Sequence, residues 1–154
     1  MRIETEILIE KYRDAIFALS YCICKDHEEA DDIVQDVFVK YHFSDKEFES
    51  ERHIRSWLGK VAVNLSRNRN LCFWRSRKES IEEYKMTLEF ETEEDKELFS
   101  AVMSLPQKYR TVLHLYYYEG YSVKEISKML LISESNAKIR LSRGREKLKS
   151  IIGK

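Results

Sequence analysis

The residues best suited to chemistry lie near the end of the chain, where hydroxyl and amide side chains are followed by cations. The first set is Ser133, Glu134, Ser135, Asn136 and Lys138, and the second is Arg140, Arg143, Arg145 and Lys147. Short polar side chains and lysine hydrogen-bond to base edges, whereas arginine and lysine also bind phosphates. This order of residue types indicates contact with duplex DNA, through bases first and then through phosphates.

Two short helices must position these side chains. Ser122 and Glu125 have the spacing of a capping box at the start of the first helix, and Ser133 is the expected N-cap of the second. Internal packing is expected from Ile126, Met129, Leu130, Ile132, Ala137, Ile139 and Leu141. The pattern is typical of a helix-turn-helix, whose second helix inserts its first turns into the major groove. A solvated basic surface helix is the alternative, but it explains neither the two caps nor the local excess of cations.

A second basic block covers residues 52–78, which carry a net charge of +8 and no acidic residue. Its cations are interleaved with amides and aromatic rings in "NLSRNRNLCFWRSRK". Such a mixture suits a strand whose bases are splayed out and stacked. The alternative is a solvated helix C-terminus that favours cations through the helix dipole, but eight cations exceed what that effect requires. We therefore predict a second contact with nucleic acid.

The first 51 residues are acidic instead, with a net charge of −8, and residues 79–97 carry −7. Within "EADDIVQDVF" and just beyond it, helical spacing predicts a buried stripe of Ala30, Ile33, Val34, Val37, Phe38 and Tyr41. The outer face carries Asp31, Asp32, Gln35 and Asp36, and such an acidic face cannot bind DNA. By composition alone it is a solvated surface, yet charge segregated this sharply predicts at least two kinds of partner.

Periodicity predicts an all-α fold of two small helical domains joined by an acidic linker. The domains are expected at residues 1–78 and 98–154, and residues 79–97 are expected to form a linker, either irregular throughout or with a helical end. The first domain is expected to contain three helices. The first covers about Glu4–Cys24, the second begins after the N-cap Asp26 and ends before the loop Phe43–Glu51, and the third covers about Arg52–Trp74. In the third helix we expect Ile54, Trp57, Leu58, Val61, Ala62 and Leu65 to point inward. The second domain begins near Leu98 with a short helix, followed by a longer one with Pro106 at its start and Gly120 past its end.

Several kinds of chemistry find little support. Cys22, Cys24 and His27 could suggest a metal-ligand trio, but the cysteines are too close and too isolated from a second pair for a structural zinc site. We interpret both cysteines as core-lining thiols and predict neither a metal nor a cofactor. No nucleophile–base pair or phosphate-cradling glycine loop is recognisable, so an enzyme is not expected. The charged start and the lack of an apolar run of membrane length predict a cytoplasmic protein without membrane insertion.

Along nearly its whole length, and in order, the chain resembles the extracytoplasmic-function (ECF) sigma factors of bacterial RNA polymerase. "EEADDIVQDVFVKYH" resembles the core-binding helix of that family, and "RSWLGKVAVNLSRNRNLCFWRSRK" its promoter-melting and −10-reading helix. "LPQKYRTVLHLYYYEGYSVKEISKMLLISESNAKIRLSRGREKL" resembles its −35-reading domain. Asn68 stands where many relatives have aspartate. Leu131 stands where a glycine is usual before the recognition helix, so a somewhat different turn is expected there.

The resemblance implies three interfaces. Docking on a basic coiled coil of the largest polymerase subunit is implied for Asp31, Asp32, Gln35 and Asp36. The loop Phe43–Glu51 would receive a flipped non-template base, and the −10 contacts would come from Phe43, Ser44, Lys60, Asn64, Arg67, Asn68, Arg69 and Arg75. The −35 contacts would come from Ser133, Glu134, Ser135, Asn136, Lys138, Arg140, Arg143 and Arg145. The acidic linker would lie in the RNA exit path, and an anti-sigma factor is a further expected partner.

The resemblance thus favours a sigma factor that binds core RNA polymerase and directs promoter-specific initiation. Its first domain would melt the single-stranded −10 element, and its second would read duplex −35 DNA. The alternative is a free-standing helix-turn-helix regulator that binds duplex DNA by itself as a dimer. That alternative leaves the acidic helix and the acidic linker without a role.

Overall fold

Helices make up both units of the protein. The computed structural model describes residues 1–72 and 91–153, which form one compact unit on each side of the gap. The first unit contains α1 (Thr5–Cys24), α2 (His27–Phe43) and α3 (Glu51–Cys72), and the second contains α4 (Glu93–Met103), α5 (Gln107–Leu113), α6 (Val123–Leu130) and α7 (Glu134–Ile152). The predicted all-α class is confirmed. Within the described ranges, no helix is both long enough and apolar enough to span a membrane.

The apolar stripe of α2 fills the centre of the first unit, between α1 and α3. All six residues predicted for this stripe are buried. Asp26 Oδ1 accepts a hydrogen bond from the backbone N–H of Glu29 at 2.9 Å, so the predicted N-cap is confirmed. Cys22 and Cys24 are buried free thiols, as predicted. Because each large apolar side chain contributes about 1.5–3 kcal/mol when buried, this stripe fixes which face of α2 is left to the acidic residues.

The buried side of α3 differs slightly from the predicted stripe. Full burial is seen for Ile54, Leu58, Ala62 and Val63, whereas partial burial is seen for three residues predicted to point inward, Trp57, Val61 and Leu65. Val63 joins the buried side about 100° beyond Ala62, so Trp57 and Val61, which lie on the other side of Leu58, fall at its border. The Trp57 ring still packs edge-on against the rings of Tyr41 and Phe48, at centroid distances of 6.2 and 5.7 Å.

A polar cluster joins α1 to the first residue of α3. The Lys11 ammonium and the Tyr12 hydroxyl both donate hydrogen bonds to Glu51 Oε2. The bond from Lys11, followed by the bond from Tyr12, lowers the pKa of the Glu51 carboxyl. Burial, and then the bond to Glu51, raises the pKa of the Tyr12 phenol. Both effects favour the ionised carboxylate and the neutral phenol, which is the pairing that holds the start of α3 against α1.

The first helix of the second unit begins earlier than predicted. The sequence placed this start near Leu98, but α4 begins at Glu93. Thr92 Oγ1 accepts a hydrogen bond from the backbone N–H of Asp95 at 3.0 Å, and acidic residues fill the first turn, where the helix dipole favours negative charge. Part of the acidity that suggested a linker therefore belongs to a helix N-terminus. Residues 79–90 of the predicted linker lie outside the described residues.

The helix α5 continues into a π-helical turn, His114–Tyr118, that the sequence did not predict. This turn leaves the side chains of Tyr116, Tyr117 and Tyr118 exposed. Pro106 directly precedes α5, and Gly120 follows the turn with a φ of 79°. Both positions agree with the predicted start and end of this helix. The inserted turn changes which face each tyrosine presents, because π-helical geometry adds a residue to the repeat.

The helices α6 and α7 form the predicted helix-turn-helix, with both predicted caps. Ser122 Oγ accepts from the backbone N–H of Glu125 at 3.1 Å, and the Glu125 carboxylate accepts from the backbone N–H of Ser122 at 2.9 Å. Ser133 Oγ accepts from the backbone N–H of Asn136 at 3.0 Å. The capping box and the second N-cap are therefore confirmed, and together they fix where the recognition helix begins.

The buried side of α7 is narrower than predicted. It consists of Ala137, Leu141 and Gly144, whereas Ile139, which was predicted to join the internal packing, is 48% exposed. Position 139 lies about 200° around the helix from position 137 and so faces away from α6. Gly144 allows α7 to approach α5 closely, because a Cβ there would lie 3.3 Å from the Leu113 side chain.

The turn between α6 and α7 contains a strained residue. Leu131 has a φ of 57° and a ψ of 46°, the left-handed conformation that glycine adopts readily. The residue is 72% exposed, so its side chain gains little from packing. The leucine therefore takes the backbone conformation that a glycine adopts readily.

Leu131→Gly is expected to stabilise the second unit by about 1 kcal/mol, because glycine adopts the left-handed region without the penalty imposed by a Cβ. Leu131→Ala is the matched control, since it removes the same exposed apolar surface but keeps the Cβ. Thermal unfolding followed by circular dichroism measures both variants. Equal unfolding midpoints for the two variants would contradict strain at position 131.

Candidate nucleic-acid and protein interfaces

The outer face of α2 presents the acidic and amide side chains that the sequence predicted there. Asp32 and Gln35 are exposed, and Asp31 and Asp36 are partly exposed. Asp31 also lies 3.4 Å from His27 Nε2, one helical turn earlier. These four side chains follow one another at helical spacing, so they form a single surface on the side of α2 opposite its buried stripe. We call this surface the acidic face.

One predicted DNA-binding residue lies against this acidic face. The Arg69 guanidinium, on α3, donates through Nη2 to Asp36 Oδ2 and through Nη1 to Glu29 Oε2 at 3.3 Å. Its Nη1 also lies 3.9 Å from Asp32 Oδ2. The Arg69 side chain is only 23% exposed, whereas that of Asp32 is 65% exposed. The structure therefore gives Arg69 carboxylate partners within its own unit, while Asp32 remains open to other partners.

The other predicted −10 residues on α3 share one side of that helix. They are Lys60, Asn64, Arg67 and Asn68, of which the last three are exposed and Lys60 is partly exposed. Their spacing of four, seven and eight residues from Lys60 places them on one face. Arg75, which was predicted to extend this set, lies outside the described residues. The structure thus brings together a strip of cations and amides, and sets Arg69 apart from it.

The loop between α2 and α3, residues 44–50, is ordered by its own contacts. Ser44 Oγ accepts from the backbone N–H of Lys46 at 3.1 Å. Phe48 is buried and packs against the rings of Tyr41 and His53 at 5.8 and 5.1 Å. Phe43, at the end of α2, is 78% exposed. The loop therefore has a buried aromatic anchor, which the sequence did not reveal, next to an exposed aromatic ring.

A cleft of about 480 Å³ lies between α1 and α2 and opens beside the acidic face. Its lining is mostly apolar and comprises Thr5, Ile9, Arg13, Asp31, Val34, Gln35, Phe38, Val39, His42 and Phe43. Sequence periodicity could not predict this cleft, because it depends on how two helices pack. It extends the acidic face into a surface that combines negative charge with apolar area.

The first turns of α7 present the side chains predicted to contact bases. Exposed positions are held by Ser133, Glu134, Ser135 and Lys138, and a partly exposed one by Asn136. Further along the helix, Arg140 is partly exposed, and Arg143 and Arg145 are exposed. Arg145 Nη1 donates to the Tyr117 hydroxyl at 2.9 Å, a contact that depends on the unpredicted π-helical turn. The helix therefore separates short polar groups near its start from cations beyond them.

Both units match models of known protein regions. The model described as "Sigma-70 region 2" matches residues 8–79, and the one described as "Sigma-70, region 4" matches residues 95–148. The chain is 35% identical over 136 residues to RNA polymerase sigma factor SigZ of Bacillus subtilis, covering 82% of this chain and 74% of that one. The chain belongs to the ECF sigma factors. It is also 28% identical over 166 residues to the ECF sigma factor SigW of the same organism, covering 92% and 85% of the two chains.

Two solved structures share the fold of this ECF sigma factor. The sigma factor RpoE of Bartonella quintana, solved with the anti-sigma factor NepR, has a TM-score of 0.74 at 19% identity and covers 96% of each chain. CnrH, solved with the cytosolic domain of CnrY, has a TM-score of 0.69 at 23% identity, with 97% and 87% covered. As a sigma factor, the protein directs promoter-specific initiation of transcription. A free-standing regulator is not favoured, because the region 2 match assigns a role to the first unit.

Proposed function

We propose that this sigma factor binds core RNA polymerase through its first unit, which also melts the −10 element, and reads duplex −35 DNA through its second unit. The observation that carries the proposal is the separation of surfaces within each unit. The acidic face of α2 and the strip on α3 carry opposite charge in the first unit. In the second unit, cations lie on the outer side of a capped recognition helix.

The acidic face is the proposed docking site for core polymerase. Exposed carboxylates repel nucleic acid, whereas a basic surface on a protein is their natural complement. Asp32 and Gln35 are the most accessible members, and the neighbouring cleft offers apolar area to the same partner. Arg69 reduces the negative charge around Asp36, so we assign the larger share of polymerase binding to Asp32 and Gln35.

The strip on α3 is the proposed site for the −10 single strand. Amides and cations on one helical face bind a strand by combining phosphate contacts with hydrogen bonds to unpaired bases. Lys60 and Arg67 supply cations, and Asn64 and Asn68 supply amides, along that face. Phe43 and Ser44 begin the loop that we assign to a flipped base. Arg69 reaches DNA only if its carboxylate contacts are exchanged, so we give it a structural role in the free protein.

The second unit is the proposed −35 reader. The first turns of α7 would enter the major groove, where Asn136 and Lys138 contact base edges, and Arg140, Arg143 and Arg145 would hold phosphates. We expect no catalytic turnover by the chain, because sigma factors act by positioning DNA and polymerase. We also propose an anti-sigma partner, since the RpoE structure was determined with one. Because RNA polymerase and promoter DNA are its partners, we also propose a cytoplasmic location.

Run-off transcription tests the proposal. The chain is combined with core RNA polymerase and a library of promoters randomised at −10 and −35. We expect transcripts only when chain and core are both present, and enrichment of defined sequences at both elements. Enrichment at neither element, or tight sequence-specific duplex binding by the chain without core, would support a free-standing regulator instead.

A further inference from the structure

The first three residues of the chain lie against the loop between α2 and α3. Arg2 Nη2 donates to the carbonyl oxygen of Tyr41 at 2.9 Å, and its Nη1 donates to the carbonyl oxygen of Lys46 at 3.2 Å. The same guanidinium lies 4.3 Å from the centroid of the Tyr41 ring and 6.0 Å from that of Phe48. One side chain thus connects the last turn of α2 to the middle of the loop.

Backbone contacts reinforce this arrangement. The backbone N–H of Phe48 donates to the carbonyl oxygen of Met1 at 3.3 Å. The Tyr41 hydroxyl donates to the carbonyl oxygen of Ile3 at 2.7 Å and accepts from the backbone N–H of Ile3 at 2.9 Å. Tyr41 is fully buried, so these contacts tie residues 1–3 to the core of the unit. We call residues 1–3 the strap.

The strap contacts the middle of a loop that is also held at its start, at its end and by the buried Phe48 ring. The loop is fixed at its start by the bond from Lys46 to Ser44 Oγ. It is fixed at its end by the bond from the backbone N–H of Glu49 to His53 Nδ1 at 3.1 Å. Between these points, the carbonyl oxygen of Lys46 is held by Arg2. Arg2 therefore ties the carbonyl oxygen of Lys46, in the exposed part of the loop, directly to the last turn of α2.

We propose that Arg2 is a positioning residue for −10 recognition: it holds the base-reading loop in one conformation without contacting DNA. The inference rests on the proposed function of residues 43–51. A pocket that discriminates between bases must hold its groups to within a fraction of an ångström, and a loop that shifts accommodates several bases. The planar guanidinium places two donors in a fixed fork, which matches two carbonyl oxygens at once. Lysine has the same charge but lacks this fork.

The test compares wild type, Arg2→Lys and Arg2→Ala in run-off transcription over a library randomised at −10, with core polymerase present. Discrimination between bases at the flipped position is expected to fall about fivefold to tenfold in Arg2→Lys, which loses one of the two hydrogen bonds, and at least as much in Arg2→Ala, which loses both. Preference at −35 should stay unchanged. Arg2→Lys keeps the charge, so its loss of discrimination separates geometry from electrostatics. Lys40→Ala removes an exposed cation of α2 outside both the strap and the cleft, and it should retain wild-type discrimination.

Other outcomes separate the inference from the proposed function. If wild type transcribes no promoter selectively, the proposed function fails. If wild type is selective and both Arg2 variants keep its base preference, the inference is overturned. A uniform drop of transcription from all promoters would also overturn the inference. A merely structural role of Arg2 would lower the amount of active protein without changing the base preference. Circular dichroism checks that the variants retain their helical content. If Arg2→Ala fails to fold, the comparison of Arg2→Lys with wild type decides the outcome.

Discussion

Replacing Asp32 and Gln35 together with alanine is expected to weaken binding to core RNA polymerase by about 30-fold, or roughly 2 kcal/mol, the loss typical of residues central to an interface. Two carboxylates of the acidic face, those of Asp32 and Asp36, lie near Arg69, and that of Asp32 is the more exposed. The distance between Asp32 Oδ2 and Arg69 Nη1 is long, at 3.9 Å. Glu29 and Asp36 keep Arg69 in place when Asp32 is removed. The double substitution should therefore leave the fold intact and affect docking alone.

Fluorescence anisotropy of a labelled chain titrated with core polymerase measures this effect. Glu10→Ala is the matched control, because it removes an exposed acidic side chain from α1 rather than from the acidic face. Asp36→Ala is less informative, since Asp36 also holds Arg69. Raised salt should weaken wild-type binding more than binding of the double variant, because fewer charge contacts remain to be screened. Unaltered binding by the double variant would contradict the assignment of the acidic face to polymerase.

The second large effect is expected in the recognition helix. Replacing Asn136 or Lys138 with alanine should change base preference at −35 by about 1–3 kcal/mol per lost contact. Replacing Arg143 or Arg145 should instead weaken all −35 sequences alike and flatten the salt dependence, because phosphate contacts act through counterion release. The two classes of substitution differ because of their position along α7. Its N-terminal turns enter the major groove, whereas its later turns pass the DNA backbone.

Binding of −35 duplexes that differ at single base pairs, measured over a range of salt concentrations, separates the two classes. Ser142→Ala is a suitable control, because it changes an exposed position of α7 that carries no charge. Of the two arginine substitutions, the one at Arg145 should cause the larger loss of DNA binding, because the Tyr117 hydroxyl already orients this guanidinium. An equal shift of sequence preference in both classes would show that the proposed division of the helix is wrong.

Local signals in the sequence were sufficient for the helices and their caps. Asp26, Ser122 and Ser133 each cap a helix through a contact only three residues away, which the sequence pattern contains in full. The buried stripe of α2 was predicted residue by residue because helical periodicity is also local. Leu131 shows the limit of local propensity, since the leucine adopts a conformation that composition would assign to glycine.

Contacts between distant residues could not be predicted in this way. Arg2 bonds to a carbonyl oxygen 44 residues away, and Arg69 bonds to Asp36, which lies 33 residues earlier. Both depend on the packing of three helices, so composition suggested only that Arg69 was a cation suited to DNA. Ile139 was misplaced for a different reason, since helical geometry alone puts it about 200° around α7 from Ala137. The assignments of DNA contacts and polymerase contacts remain predictions.

We propose that one unit opens −10 while the other holds −35. Permanganate footprinting of the complex with core polymerase and promoter tests this division of roles most directly. Permanganate oxidises unstacked thymines, so it reports melting base by base. We predict reactive −10 thymines only when chain, core and promoter are all present. A substituted −35 element should reduce the fraction of opened promoter without moving the reactive positions. Stable binding of the complete complex without reactive −10 thymines would contradict the account.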